Sequence, residues 1–209
     1  MDDNNPLIYL ASQSPRRREL LCQIGVPHAV IAMALDERPG PGESAEDYAL
    51  RVALDKARVG RDLIPFPRRR PVLGADTVVA LDGRILGKPQ DEQEALAMLR
   101  LLAGRTHQVL SAVALLGTEE RWAMSLSEVS FRPISEDEAR TYWASGEPVD
   151  KAGGYAIQGL GAVFVRELHG SYSGVMGLPL FETAQLLSAE GILPLDLGQR
   201  RQLAPYPNH

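Results

Sequence analysis

A long apolar segment in the middle of the chain most restricts how it can fold. Residues 72–81 have the composition of a buried strand, and Asp82-Gly83 is a typical two-residue hairpin turn before Arg84-Ile85-Leu86. A hairpin makes antiparallel neighbours in a sheet, whereas helices interspersed between strands favour parallel ones. The chain is therefore expected to be α/β, with a mixed, twisted sheet flanked by helices.

Capping residues mark where the helices begin. Helices are predicted to begin near Ser14-Pro15, Ser44, Asp91, Ser135 and Pro179. Further strands are predicted over residues 7–11, 109–116, 122–131 and 162–168, and a slip in the alternation near Ser127 indicates a bulge. The weakly patterned tail, residues 192–209, is expected to be frayed and to lie outside a single domain of residues 1–191.

Composition excludes several classes of function. The chain has 209 residues, 44% of them hydrophobic, and a net charge of −5, which argues against non-specific nucleic-acid binding. A single cysteine, Cys22, leaves no intrachain disulfide and no cysteine-based zinc site. With no apolar run near the roughly 18 residues of a membrane span and an acidic, polar start, the expectation is a cytoplasmic protein without a membrane partner.

Asp76 is the most informative single residue. It interrupts the apolar strand 72–81, where aspartate is disfavoured and where a buried carboxylate needs a partner or a metal. Gly74, two residues earlier, would allow close backbone approach. A general base or a metal ligand is the interpretation that we favour for Asp76.

Basic residues near two helices have two possible explanations each. Arg16, Arg17 and Arg18 lie in the first turn of a helix, where they form either a phosphate clamp with Ser12 and Ser14 or a solvated basic face. At most two of the three arginines can point the same way.

Lys56 lies on the apolar stripe of the second predicted helix. Its stem either runs along the edge of the core or carries the ammonium into a cleft, where it meets an anion. Gly87-Lys88-Pro89 does not make a P-loop, because Pro89 replaces the magnesium-binding hydroxyl. By spacing alone, therefore, Lys88 is an ordinary solvated lysine.

Longer motifs identify a resemblance. Leu10-Ala11-Ser12-Gln13-Ser14-Pro15-Arg16-Arg17-Arg18 resembles the opening signature of the Maf nucleotide pyrophosphatases, and Gly74-Ala75-Asp76-Thr77-Val78-Val79 with Leu86-Gly87-Lys88-Pro89 resembles their second motif. Ser145-Gly146-Glu147-Pro148, followed by residues 150–159, resembles the third, and Gly170-Ser171-Tyr172-Ser173 with Gly177-Leu178-Pro179-Leu180 completes the set. These motifs appear in family order across residues 7–190.

The resemblance implies a fold, a reaction and roles for particular residues. It implies a Maf/ITPase-like α/β fold with two lobes and a substrate cleft between them, often dimeric, and hydrolysis of a nucleoside triphosphate to the monophosphate and diphosphate with a divalent cation, Mg or Mn. Asp76 would accept the proton from water and, with Glu37, hold the metal. The residues that would bind phosphates are Ser12, Arg17, Lys56 and Lys88.

Three further positions bear on the base. Arg16, Thr77 and Gln158 match the set that the dTTP/UTP branch of the family carries, whereas Trp, Gln and Glu would be expected in the 7-methyl-GTP branch. An uncharged glutamine suits a neutral base that has both donors and acceptors. The alternatives are a 7-methyl-GTP pyrophosphatase and a non-catalytic, nucleotide-binding regulator of cell division. The loop Arg68–Arg70 has no counterpart that we can assign in the family.

Overall fold

A computed structural model describes residues 5–65 and 70–197 and shows alternating strands and helices. The strands are β1 (Ile8–Leu10), β2 (His28–Val30), β3 (Val72–Leu81), β4 (Arg84–Leu86), β5 (Thr106–Leu116), β6 (Glu120–Phe131) and β7 (Val165–His169). The helices are α1 (Pro15–Gln23), α2 (Ala45–Asp62), α3 (Glu92–Leu102), α4 (Glu136–Ala144), α5 (Tyr172–Met176) and α6 (Leu180–Ala189), with short 3₁₀ turns at Ala152–Gly154 and Leu160–Phe164.

One mixed sheet organises the chain, as predicted. Its strand order is β2-β1-β3-β5-β6-β7, and β4 also pairs with β3. Strands β2, β1 and β3 run parallel, whereas β3, β5, β6 and β7 are antiparallel neighbours. The β3–β4 hairpin is confirmed, with Asp82 and Gly83 both at positive φ as a type I′ turn requires.

The structure confirms the predicted helix starts. Caps are local interactions, so the sequence alone can reveal them. Ser135 and Glu138 form a reciprocal capping box at α4. The side chains of Ser44 and Asp91 accept hydrogen bonds from the backbone N–H groups three residues later, at the starts of α2 and α3. Pro15 begins α1, although Ser14 makes no side-chain cap there.

Two separate apolar clusters on one face of the sheet define the two lobes. Leu73 and Ala75 of β3 belong to a cluster with β1, α1 and α6, whereas Val79 and Leu81 belong to a cluster with α3 and α4. Thr77 lies between these pairs on the same face. The opposite face of β3 is covered by α2, whose alanines pack on β3 and β5. Thr77 therefore marks the boundary between the lobes on this face of β3.

The structure also differs from the predicted elements at several places. The strand predicted over 162–168 begins only at Val165, because residues Leu160–Phe164 form a 3₁₀ turn. Strand β6 stays in register with β5 through Ser127, and the irregularity lies instead at Ser130/Phe131, against β7. Strand β2 and helix α5 were not predicted.

Two predictions fall wholly or partly outside the described residues. Of the loop Arg68–Arg70, only Arg70 is described. In the tail, Ile192 and Leu197 pack against the cluster around α1 and α6, and residues 198–209 are not described, so the frayed tail stays a prediction. In residues 5–65 and 70–197, no helix combines the length and the apolar character needed to cross a membrane.

Candidate active site

The candidate site is a cleft that opens at a gap in the edge of β3. Strand β1 pairs with Val72 and Leu73, and β4 pairs with Val79, Ala80 and Leu81. Both lie on the same edge, because β5 occupies the other edge along most of β3. Among the described residues, no strand therefore pairs with residues 74–78 on this edge, and a cavity of about 960 Å³ lies there.

Asp76 lies at this gap and forms a buried ion pair. Its Oδ1 accepts a hydrogen bond from Nζ of Lys56 at 2.9 Å, and the same ammonium lies 3.0 Å from Oε1 of Glu37. The side chains of Asp76 and Lys56 are each only 9% exposed. Of the two explanations for Lys56, the structure supports the one in which its ammonium enters a cleft and meets anions.

Gly74 is the reason that α2 can bring Lys56 so close. A Cβ atom at Gly74 would lie 2.2 Å from the backbone oxygen of Ala53 and 2.6 Å from the nitrogen of Ala57, both in α2. Strand and helix therefore touch at the level of their backbones. This contact places the lysine, one residue before Ala57, directly over the carboxylate, two residues after the glycine.

Arg17 provides a second buried cation. Its Nε donates to the carbonyl oxygen of Gly177 at 2.8 Å, and its Nη1 donates to Oγ of Ser12 at 3.1 Å. Burial lowers the pKa of the Arg17 guanidinium, an effect that the negative charges of Asp76 and Glu37 oppose, and an arginine stays protonated in a protein. The cleft thus holds a fixed positive charge beside the N-terminus of α1, where backbone N–H groups attract anions.

The two other arginines differ, as the helical spacing predicted. Arg16 lines the cleft and is partly buried, whereas Arg18 is exposed and is not part of the lining. Ser12 and Ser14 line the cleft with Arg16 and Arg17. Two of the three arginines therefore face the cleft, which is not the arrangement of a solvated basic face.

Thr77 forms part of the floor of the cleft. Its Oγ1 lies 2.9 Å from Oγ of Ser111, which donates to the carbonyl oxygen of Gly174 at 2.6 Å. Ser111 is paired with Thr77 in the β3–β5 register. This polar link joins the sheet to the short helix α5, and Ser111 is a residue that the sequence reasoning missed.

One wall of the cleft, formed by the segments that follow β4 and α4, carries the remaining predicted residues. Lys88 follows β4, Gln158 lies in the glycine-rich segment, and both line the cleft with exposed side chains. Lys151 and Tyr155 line the same wall. All of the predicted site residues therefore face one cavity: Ser12, Arg16, Arg17, Glu37, Lys56, Asp76, Thr77, Lys88 and Gln158.

A set of contacts that the sequence reasoning missed holds the loop that carries Glu37. The hydroxyl of Tyr48 in α2 donates to the carbonyl oxygen of Glu37. Arg51, one turn further along α2, binds Glu43 through Nε at 2.6 Å and Nη2 at 2.8 Å, and Glu43 accepts from the backbone of Gly40 at 2.8 Å. Burial, together with Asp76 and Glu37, raises the pKa of Tyr48 to about 12, so its hydroxyl remains a donor.

The donor chemistry of the cleft fits a hard divalent cation. Glu37 and Asp76 supply carboxylate oxygens that both contact the Lys56 ammonium. Magnesium is typically bound by one or two carboxylates together with the phosphates of a substrate. Among the described residues, no group of three or more His, Cys, Asp or Glu side chains could hold a metal without such a substrate.

The cleft places a buried carboxylate beside a lysine, an arginine and the N-terminus of a helix. These groups suit a protein that binds a small anionic molecule. The Maf-like protein family matches residues 7–190, and the chain belongs to this family.

Curated relatives are similar over nearly the whole chain. A dTTP/UTP pyrophosphatase of Saccharophagus degradans is 57% identical over 190 residues, which are 90% of this chain and 90% of the relative. One from Alkalilimnicola ehrlichii is 58% identical over 87% of this chain and 92% of the relative. One from Methylococcus capsulatus is 54% identical over 94% and 95%.

A solved structure resembles part of the chain. The Staphylococcus aureus Ham1 protein overlaps 59% of this chain and 71% of its own, with 15% identity and a TM-score of 0.39.

Proposed function

We propose that this protein hydrolyses dTTP and UTP to the corresponding monophosphate and diphosphate. The observation that carries the proposal is the Asp76–Lys56 pair at the gap in β3, in a cleft that also holds Arg17 and Lys88. Relatives of 50–58% identity that carry the name dTTP/UTP pyrophosphatase support the reaction and the substrate.

The arrangement suits attack of water on a phosphorus atom. A nucleoside triphosphate repels a nucleophile because its phosphates are multiply charged, and fixed cations reduce that repulsion. Arg17, Lys56 and Lys88, with the hydroxyl of Ser12, would bind the phosphates. Lys56 contacts Oδ1 of Asp76, which leaves Oδ2 to take the proton from the attacking water.

A divalent cation, Mg or Mn, belongs to this proposal. Glu37 and Asp76 would hold it, and when bound it would neutralise charge on the phosphates and on the departing diphosphate. Lys56 contacts both of these carboxylates, so it holds them close to each other before a substrate arrives.

The choice of a pyrimidine rests on three residues at the rim and the floor of the cleft. Arg16, Thr77 and Gln158 all line the cavity, and Gln158 can both donate to and accept from a base edge. We place the protein in the cytoplasm and expect a homodimer, both as parts of this proposal.

The test is the release of diphosphate from dTTP, UTP, CTP, ATP, GTP and 7-methyl-GTP, with magnesium or manganese and with a chelator. We expect metal-dependent hydrolysis, fastest for dTTP and UTP. The variant that tests the role of Asp76 is Asp76→Asn, which keeps the shape of the side chain and removes its basicity. It should fold normally and lose between about 100-fold and 10,000-fold in turnover.

Other outcomes would point elsewhere. A preference for 7-methyl-GTP would keep the reaction but overturn the assignment of Arg16, Thr77 and Gln158. Tight nucleotide binding without turnover of any substrate would favour the non-catalytic regulator. A folded Asp76→Asn protein with near-native activity would remove Asp76 from its role as the base.

A further inference from the structure

Glu147, in the Ser145-Gly146-Glu147-Pro148 motif, has no role in the reaction described above. Its carboxylate lies under the glycine-rich segment and accepts three hydrogen bonds. Oε1 accepts from the hydroxyl of Tyr142 at 2.7 Å and from the backbone N–H of Gly161 at 2.9 Å. Oε2 accepts from the backbone N–H of Leu160 at 2.8 Å. Such a set of donors is typical of a carboxylate that holds a loop in one conformation.

These hydrogen bonds lie on both sides of Gln158. The Tyr142 hydroxyl also accepts from the backbone N–H of Ala156 at 3.0 Å, two residues before Gln158. The amide of Leu160, bound to Glu147, lies two residues after it. The backbone is thus fixed on either side of the one glutamine that reaches the cleft from this segment.

The packing around the carboxylate leaves little room for the segment to move. A Cβ atom at Gly159, the residue after Gln158, would lie 2.2 Å from Oε2 of Glu147. Tyr142, in α4, is itself buried against Phe164 with the two rings edge to face. The support for Gln158 is therefore anchored in the core of one lobe.

The bonds require an ionised carboxylate. Although burial raises the pKa of Glu147, the hydrogen bonds from Gly161, Leu160 and Tyr142 outweigh this effect and hold the pKa below its ordinary value. A glutamine at this position would present one oxygen and one NH₂ group. The NH₂ group would face a backbone N–H, so one donor would be left without an acceptor.

We propose that Glu147 and Tyr142 are positioning residues for base recognition, which fix the backbone around Gln158 so that its amide meets the base of the substrate in one orientation. The proposal rests on the function proposed above. It concerns the base side of the cleft only, because neither residue contacts Asp76, Lys56 or Arg17.

The experiment compares Glu147→Gln and Tyr142→Phe with a matched control, Glu190→Gln. Glu190 binds the backbone N–H of Thr118 with both carboxylate oxygens and packs against Gly117, as Glu147 packs against Gly159, but it does not line the cleft. Steady-state kinetics with UTP and CTP give KM, kcat and the ratio of the two specificity constants. Thermal melting measures stability separately.

For Glu147→Gln we expect KM for UTP to rise about tenfold, and discrimination against CTP to fall by a similar factor, because a hydrogen bond to a charged acceptor is lost. kcat should change little, since the residues around the reacting phosphates keep their places. Tyr142→Phe should act in the same direction to a smaller extent. Glu190→Gln should leave both kinetic constants unchanged.

Hydrogen exchange of the Leu160 and Gly161 amides provides a readout that does not depend on turnover. In Glu147→Gln these amides should exchange about tenfold faster than in the wild type, as expected for the loss of one such bond. Unchanged exchange would overturn the proposal, and so would faster exchange with unchanged KM and discrimination. A wild-type protein that hydrolyses no nucleotide would refute the proposed function. Whether Glu147 positions the segment around Gln158 could still be decided from the exchange rates and from UTP binding measured by calorimetry.

Discussion

Replacing Gly74 by alanine tests the contact on which the Asp76–Lys56 pair depends. The added Cβ would lie 2.2 Å from the oxygen of Ala53, whereas ordinary contact begins near 3.4 Å, so α2 must retreat by about 1 Å. Overpacking of this kind costs about 1–3 kcal/mol. For a domain of this size, the melting temperature should fall by about 2–12 °C.

The same retreat should reduce activity beyond what the loss of stability explains. Lys56 is carried by α2 and lies 2.9 Å from Asp76, and a further 1 Å or so exceeds hydrogen-bond range. We therefore expect Gly74→Ala to lower kcat at temperatures at which the variant is fully folded. Gly87→Ala is the control for stability, because a Cβ atom there meets nothing within 4 Å. A Gly74→Ala protein that melts and turns over like the wild type would refute the close contact between β3 and α2.

Two further substitutions test a buried histidine in β5 and the loop that carries Glu37. His107 is buried, and burial lowers its pKa to about 4, so the unfolded chain binds more protons between that value and about 6.5. The free energy of unfolding should therefore fall as the pH drops through this range, by about 2 kcal/mol at pH 5. Denaturant titrations at pH 7 and pH 5 measure this loss, and the contribution of His107 to it should be absent in His107→Gln. Tyr48→Phe removes the hydrogen bond to the backbone of Glu37. The manganese concentration needed for half-maximal activity should rise several-fold, with little change in activity at saturating manganese. An unchanged manganese titration would show that Tyr48 does not position Glu37.

Local signals in the sequence predict much of the fold. The capped helices α2, α3 and α4 and the hairpin at Asp82-Gly83 depend on residues close together in the chain, and all were found. Strand β2 was missed because its three residues are half-buried or exposed and it is defined only by parallel pairing with β1. The start of β7 was placed too early because an apolar run does not distinguish a 3₁₀ turn from a strand.

In the candidate site, too, the sequence reveals some residues and misses others that only distant contacts define. Asp76 could be found because a charged residue in an apolar strand is rare, and the resemblance to the family adds the other predicted residues, all of which line the cleft. Tyr48, Ser111 and Glu147 could not be found by spacing, because their partners are 11, 63 and 14 residues away in the chain. Whether Lys56 lies along the core edge or in the cleft is likewise decided only by where Asp76 and Glu37 come to lie.

Different kinds of structure hold the two sides of the cleft, the side with Asp76 and Lys56 and the side with Gln158. Substitutions should therefore affect the two sides differently. Asp76 and Lys56 lie on a central strand and on a long helix in backbone contact with it, so a change in their relative position requires movement of the core. Gln158 lies in an irregular segment that depends on a few side-chain hydrogen bonds from Glu147 and Tyr142. Substitutions around that segment can therefore alter which base is accepted while the groups proposed to act on the phosphates keep their geometry. Apart from Thr77 itself, positions in β3 and α2 should accordingly yield fewer variants with altered base preference than residues 142–161.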